Sequence, residues 1–123
     1  MITVFPSDNK EEIQRIFSQH SLAADEYSGV VCARFNDEVL GCCLYSLYEK
    51  SICILDVEPK DDIMLADGIL RSALHIAARR GIGDAYYSEK APEEVFSKLG
   101  FIKDRSERKL DIDKLFSGCK CGM

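Results

Sequence analysis

The chain has 123 residues, 46% of them hydrophobic and 30% charged, which fits one domain with a core of its own. Its formal net charge of -5 excludes the basic face that non-specific nucleic-acid binding needs, and an anionic membrane surface would repel it. No apolar run approaches the ~18 residues of a membrane span, and the opening Met1-Ile2-Thr3-Val4-Phe5 lacks the basic segment of a secretion signal.

Residues 2–5 alternate as a strand does. Ser7, Asp8 and Asn9 are N-cap candidates, with Glu11 and Glu12 placed for a capping box. Ile13, Ile16, Phe17 and His20 then recur at helical spacing, which predicts an amphipathic helix over 9–20. A loop over 23–28 leads to a strand over 29–35. Asn36-Asp37 is a tight-turn dipeptide between apolar runs, and strands over 39–47 and 51–57 complete a meander.

Pro59 cannot donate to a ladder and ends the third of these strands. Asp61 or Asp62 caps a long helix reaching Arg80, with Ala66, Ile69, Leu70, Ala73, Leu74 and Ala77 as its buried stripe and Gly81 as its stop. A short strand over 84–88 follows. Pro92 suits the first position of a helix that runs to Gly100. The last strands are expected over 101–103 and 108–112. The order β-α-β-β-β-α-β-α-β-β implies a mixed sheet covered by helices, an α+β architecture, in a single domain over 1–116. A cysteine-containing tail over 117–123 follows it.

That order, with three local motifs, resembles the GNAT superfamily of acetyl-CoA-dependent N-acetyltransferases. Leu55-Asp56-Val57-Glu58-Pro59 is similar to the family's fourth strand and its exit. The run from Gly68 to Gly81 is similar to its main cofactor helix, and Ala91-Pro92-Glu93-Glu94-Val95-Phe96-Ser97-Lys98-Leu99-Gly100-Phe101 to its late helix and turn. The resemblance covers residues 2 to about 112 and implies acetyl-CoA as the cofactor. It implies that the strand at Leu55 and Val57 pairs with the pantetheine arm. It assigns the pyrophosphate to a loop and helix start containing Met64, Leu65, Ala66 and Asp67, and places Phe96 at the late helix where many members carry a tyrosine. The loop departs from the family pattern. Asp61 replaces a basic or amide residue, and Met64 replaces the glycine that lets phosphate reach bare backbone N–H groups.

Acyl transfer to an amine needs a base, because a protonated amine is not a nucleophile. Glu58 is the first candidate, with Asp56 and Glu89 at other strand ends, and Tyr86 and Tyr87 are the candidates to protonate the leaving thiolate in place of the missing tyrosine. His20 is read as a partner of its own helix C-terminus and His75 as a helical surface or core residue.

Four of the six cysteines, Cys32, Cys42, Cys43 and Cys53, lie in apolar runs, where thiols pack as small hydrophobes, so the expected compartment is reducing and cytoplasmic. No metal site is expected beyond the weak pair Cys119 and Cys121, whose spacing is shorter than zinc motifs use. The expected function is transfer of an acetyl group to a small-molecule or peptide amine. The acceptor wall is either open or completed by a second copy of the chain. The alternative is a GNAT-fold binding module without catalysis, linked to thiol or metal chemistry through its C-terminal cysteines.

Overall fold

The computed structural model describes residues 1–117. Seven strands form one sheet in the order β1-β2-β3-β4-β5-β7-β6. They are β1 (Thr3–Pro6), β2 (Ser28–Phe35), β3 (Glu38–Leu47), β4 (Ser51–Glu58), β5 (Asp84–Tyr87), β6 (Ile102–Asp104) and β7 (Lys109–Leu110). Every neighbouring pair is antiparallel except β4 and β5. That parallel pair needs a crossover, and α2 (Ile63–Arg79) supplies it. The remaining helices are α1 (Lys10–Gln19), α3 (Glu93–Leu99) and α4 (Lys114–Ser117).

Two cores form, one on each side of the sheet. The larger packs Ala66, Ile69, Leu70, Ala73, Leu74 and Ala77 of α2, with Val95 and Phe96 of α3, against Val31, Cys43, Tyr45, Ile52, Ile54 and Val57. All six expected α2 stripe residues are fully buried there. The smaller core sets Ile16 and Phe17 of α1 on Val30, Cys32, Cys42 and Leu44. Strand alternation divides β2 and β3 between the two, so both strands read as near-continuous apolar runs.

Local signals act as their chemistry requires. Asn9 caps α1 by accepting the amides of Glu11 (2.9 Å) and Glu12 (3.1 Å). Glu12 does not close a reciprocal capping box. Its carboxylate instead accepts the Ser7 hydroxyl at 2.6 Å and the Arg34 guanidinium of β2, which ties α1 to the sheet. The Arg34 bond, then the Ser7 bond, holds the Glu12 carboxyl below its usual range. Asn36 and Asp37 both take left-handed backbone angles (φ 50 and 68), the geometry of a two-residue hairpin that follows the sheet twist.

The structure differs from expectation at the C-terminal end. Pro92 is the N-cap of α3 and not its first residue. Phe101 belongs to the close of α3, its amide bonding the Phe96 carbonyl at 3.0 Å around Gly100 (φ 74), so β6 starts at Ile102. Arg108 turns left-handed (φ 54) and cannot enter an extended strand, and the chain leaves the strand at Asp111 and turns at Ile112, so β7 is two residues. Helix α4 was not foreseen. The four described cysteines are free thiols, and Cys119 and Cys121 lie outside the described residues. Among the described residues no helix is long and apolar enough to cross a membrane.

Gly41 and Gly68 give opposite tests of this packing. A Cβ on Gly41 would lie 2.5 Å from the Glu58 carbonyl oxygen and 2.9 Å from Ile69, where β3, the end of β4 and α2 meet. Gly41→Ala is expected to cost about 1–3 kcal/mol in urea denaturation, as overpacking does. Nothing lies within 4 Å of the Gly68 position on exposed α2 backbone, so Gly68→Ala is expected to stabilise by about 0.8–1 kcal/mol. Equal effects of the two changes would contradict the close approach at Gly41.

Candidate active site

The parallel pairing of β4 and β5 runs from Ser51 opposite Asp84 to Ile54 opposite Tyr87. The Ser88 amide closes it on the Ile54 carbonyl at 2.9 Å. Beyond that point β4 continues to Glu58 with β3 as its strand partner. The strands therefore part after Ile54. Two short contacts occupy backbone groups at the opening: the Ser88 hydroxyl donates to the Leu55 carbonyl at 3.4 Å, and the Asp56 carboxylate accepts its neighbour's amide, that of Val57, at 2.9 Å.

At the same point the register of β4 slips. Tyr45 of β3 faces Ile54, but Leu44 faces Asp56, leaving Leu55 as an extra residue. One inserted residue inverts the side-chain alternation that follows it. Ile52 and Ile54 belong to the α2 core, and so, despite the odd spacing, does Val57. Leu55 packs with the α1 core, and Asp56 and Glu58 reach across that same face to His20.

His20 is the C-cap of α1, its amide bonded to the carbonyls of Ile16 and Phe17. Its side chain is only 8% exposed. Nδ1 lies 2.6 Å from Asp56 Oδ2, and an ionised carboxylate only accepts, so Nδ1 carries the proton. Nε2 then faces Glu58 Oε2 at 3.5 Å and Cys42 Sγ at 3.9 Å. Lys60 Nζ sits 3.8 Å from the other Asp56 oxygen. Burial first, then the nearby Glu58 charge, pushes the Cys42 thiol up to about 12. A cleft of about 290 Å³ opens over this group, with Arg15, Gln19, Val39 and Leu40 on its walls. Glu58, half-exposed, is its acidic rim.

The other expected site residues are spread over the two faces of the sheet. Tyr87 is buried and donates to Glu93 at 2.7 Å, its ring 5.2 Å from that of Phe96. Burial, then the Glu93 bond, raises its pKa and commits its proton. Tyr86 is half-buried beside the Lys109 ammonium, 5.8 Å from its ring. Both tyrosines stand level with Cys53 and Ile54, roughly 13 Å along the strand from Glu58. Phe96 is fully buried.

At the start of α2, Ala66 is buried, Leu65 half-buried and Met64 82% exposed. Asp67 receives Arg71 Nε on both oxygens at 3.0 Å. Asp62 is the N-cap, accepting the Leu65 amide at 3.1 Å, and Asp61 is exposed beside it. His20 and Cys42 are the functional candidates that sequence reasoning passed over. Nothing local marks them, since His20 meets Asp56 across 36 residues of chain.

No protein-family model matches the sequence, and no curated protein matches it. Solved structures do. A ribosomal-protein-alanine N-acetyltransferase from Brucella melitensis biovar Abortus superposes with a TM-score of 0.60 at 9% identity, over 80% of this chain and 90% of that one. A GNAT family acetyltransferase from Elizabethkingia anophelis, solved with acetyl-CoA bound, matches at TM-score 0.55 and 12% identity, over 84% of this chain and 78% of that one. An aminoglycoside acetyltransferase from an uncultured soil metagenomic sample matches at 0.57 and 17%, over 85% and 93%. With its α+β order, its seven-stranded mixed sheet and the parting of β4 from β5, the chain has the fold of the GNAT acetyltransferases.

Proposed function

We infer that this chain is an N-acyltransferase that moves an acetyl group from acetyl-CoA to an amine, with the cofactor gripped at the strand opening and only loosely at its phosphates. The observation that carries this reading is the parting of β4 from β5 after Ile54 with His20, Asp56 and Glu58 gathered on one side of it. An opening between two parallel strands offers backbone groups to an extended, amide-bearing arm, and strand-like pairing does not depend on side-chain identity. Leu55 and Val57 would hold that arm. When bound, acetyl-CoA supplies the activated acyl group. Of two solved relatives in fold, one is named for alanine on a ribosomal protein and one for aminoglycosides, so the fold accepts unlike amines and leaves this chain's acceptor open.

The residues at the opening fit such an arm once Asp56 releases the Val57 amide. The phosphate end does not fit as well. The Asp62 carboxylate already occupies the Leu65 amide at the helix start, where an anion would otherwise bind, and Asp61 adds a second negative charge.

The chain's own part in transfer follows from the cleft. An ammonium group in the cleft is drawn to the Glu58 carboxylate and away from Arg15. Glu58, half-exposed on the rim, takes the proton that must leave before the amine can attack. His20 Nε2 lies 3.5 Å behind it and, in the tautomer that Asp56 favours by accepting Nδ1–H, can receive that proton in turn. Tyr87 is bound to Glu93, and both tyrosines stand roughly 13 Å along the strand from Glu58, so the donor to the departing thiolate is not assigned to either.

Incubation with isotope-labelled acetyl-CoA and a panel of primary amines, read by mass spectrometry, tests the reading. Transfer is expected, and Glu58→Gln is expected to lower kcat by about 10²–10⁴-fold with the fold intact. Failure of transfer together with absence of coenzyme A binding would leave a non-catalytic GNAT-fold module as the better description. A second expectation concerns the phosphate end. Asp62→Ser keeps an N-cap without its charge, and combined with Asp61→Arg it should tighten coenzyme A binding about tenfold or more in calorimetry, equivalent to ~1.4 kcal/mol. Unchanged affinity would mean that the α2 start does not meet the phosphates.

A further inference from the structure

The cluster at the end of α1 adds a third donor, the Cys42 sulfur, to the two groups assigned to proton transfer. Three electron-pair donors converge on one point: His20 Nε2, Cys42 Sγ and a Glu58 carboxylate oxygen, all within 4.8 Å of one another. Asp56 favours the ring tautomer with the proton on Nδ1, and in that tautomer Nε2 presents a lone pair. A carboxylate oxygen faces it at 3.5 Å, longer than the about 2.7–2.9 Å of a charge-assisted hydrogen bond. The Cys42 sulfur, at 3.9 Å, makes at most a weak contact with the same nitrogen. The ring nitrogen, the thiol and the carboxylate together form a donor set that one cation could share.

We propose that His20, Cys42 and Glu58 form a binding site for a single zinc-like divalent cation, with Asp56 as the residue that orients His20. One nitrogen, one sulfur and one carboxylate oxygen form the borderline donor set that zinc takes, and three protein ligands leave the fourth position to water or a ligand from the cleft. Tetrahedral zinc at ordinary bond lengths separates its ligand atoms by about 3.3–3.8 Å, close to the observed 3.5 and 3.9 Å, and the three atoms, all within 4.8 Å of one another, must draw together to reach it. Glu58 is half-exposed at the rim and free to move, while His20 and Cys42 are held by the α1 cap and by β3. The carboxylate on the far ring nitrogen is the outer partner that metal-bound histidines use to fix their tautomer and orientation. Binding replaces the S–H bond of Cys42 with a metal–sulfur bond, and the proton leaves to solvent. The site shares Glu58, His20 and Asp56 with the proposed proton relay, but its test reads metal binding and not acetyl transfer, so the two readings fail separately.

The test uses the full chain carrying Cys119→Ser and Cys121→Ser, so that thiols outside the described residues cannot bind metal. Zinc is removed with a chelator, and Zn2+ and Co2+ are titrated separately. One Zn2+ per chain is expected, and the Co2+ form should show a thiolate-to-metal charge-transfer band with tetrahedral visible absorption. Glu58→Gln is expected to weaken Zn2+ binding tenfold or more without unfolding the chain, since this side chain is half-exposed. Cys42→Ser should abolish the charge-transfer band. Asp56→Asn should leave the band in place and weaken binding about 10–100-fold. The proposal fails if Zn2+ does not bind below millimolar concentration, or if Co2+ binds with no thiolate band. It fails equally if Glu58→Gln binds as tightly as its parent. Circular dichroism of each variant separates loss of a ligand from loss of fold.

Discussion

A strand in the middle of a sheet carries hydrogen-bonding groups on both edges, and β4 loses the neighbour on one of them after Ile54. Buried backbone groups left without partners are costly, so this loss has to be met locally. It is met by Ser88 on the Leu55 carbonyl and by the Asp56 carboxylate on the Val57 amide. Both are side-chain contacts that an arriving backbone-like ligand can replace. The opening is therefore closed by groups able to let go, which suits a ligand that must come and leave.

The bulge at Leu55 connects this opening to the acidic cluster. Without it, Asp56 and Glu58 would continue the parity of Ile52 and Ile54 and point into the apolar core under α2, where neither charge has a partner. The extra residue turns Val57 inward and both carboxylates toward α1. His20 then meets Asp56 because α1 is anchored at its start by Asn9 and Glu12 and lies across β2 and β3 through Ile16 and Phe17. Position and charge at the site thus rest on one irregularity in one strand. The start of α2 follows a related logic. Asp62 supplies its own helix with an anion at the N-terminus.

Much of the fold was legible in short stretches. The α2 stripe from Ala66 to Ala77, the Asn36-Asp37 hairpin and the Gly81 and Gly100 stops depend on periodicity and backbone freedom that neighbouring residues alone specify. The C-terminal strands were placed less well, because Phe101 and Arg108 are claimed by a helix close and a left-handed turn rather than by strand propensity. A cue to the bulge was present in Ser51-Ile-Cys-Ile-Leu-Asp-Val-Glu58, where the apolar period of two breaks between Ile54 and Val57. Following it would have moved Asp56 and Glu58 to one face together.

The sequence by itself determined the order of elements, the two apolar faces of the sheet and the acidic character of the helix start after Pro59, because each depends on residues a few positions apart. Only the tertiary structure decided that His20, Cys42 and Glu58 share one cleft, with Asp56 behind His20, while Tyr87 and Phe96 lie buried under another face. The reason is that the cluster joins a helix end to two strands, with His20 and Asp56 36 residues apart. Its assembly depends on where α1 crosses the sheet and on a register shift, and pairings between distant segments leave no period in the chain.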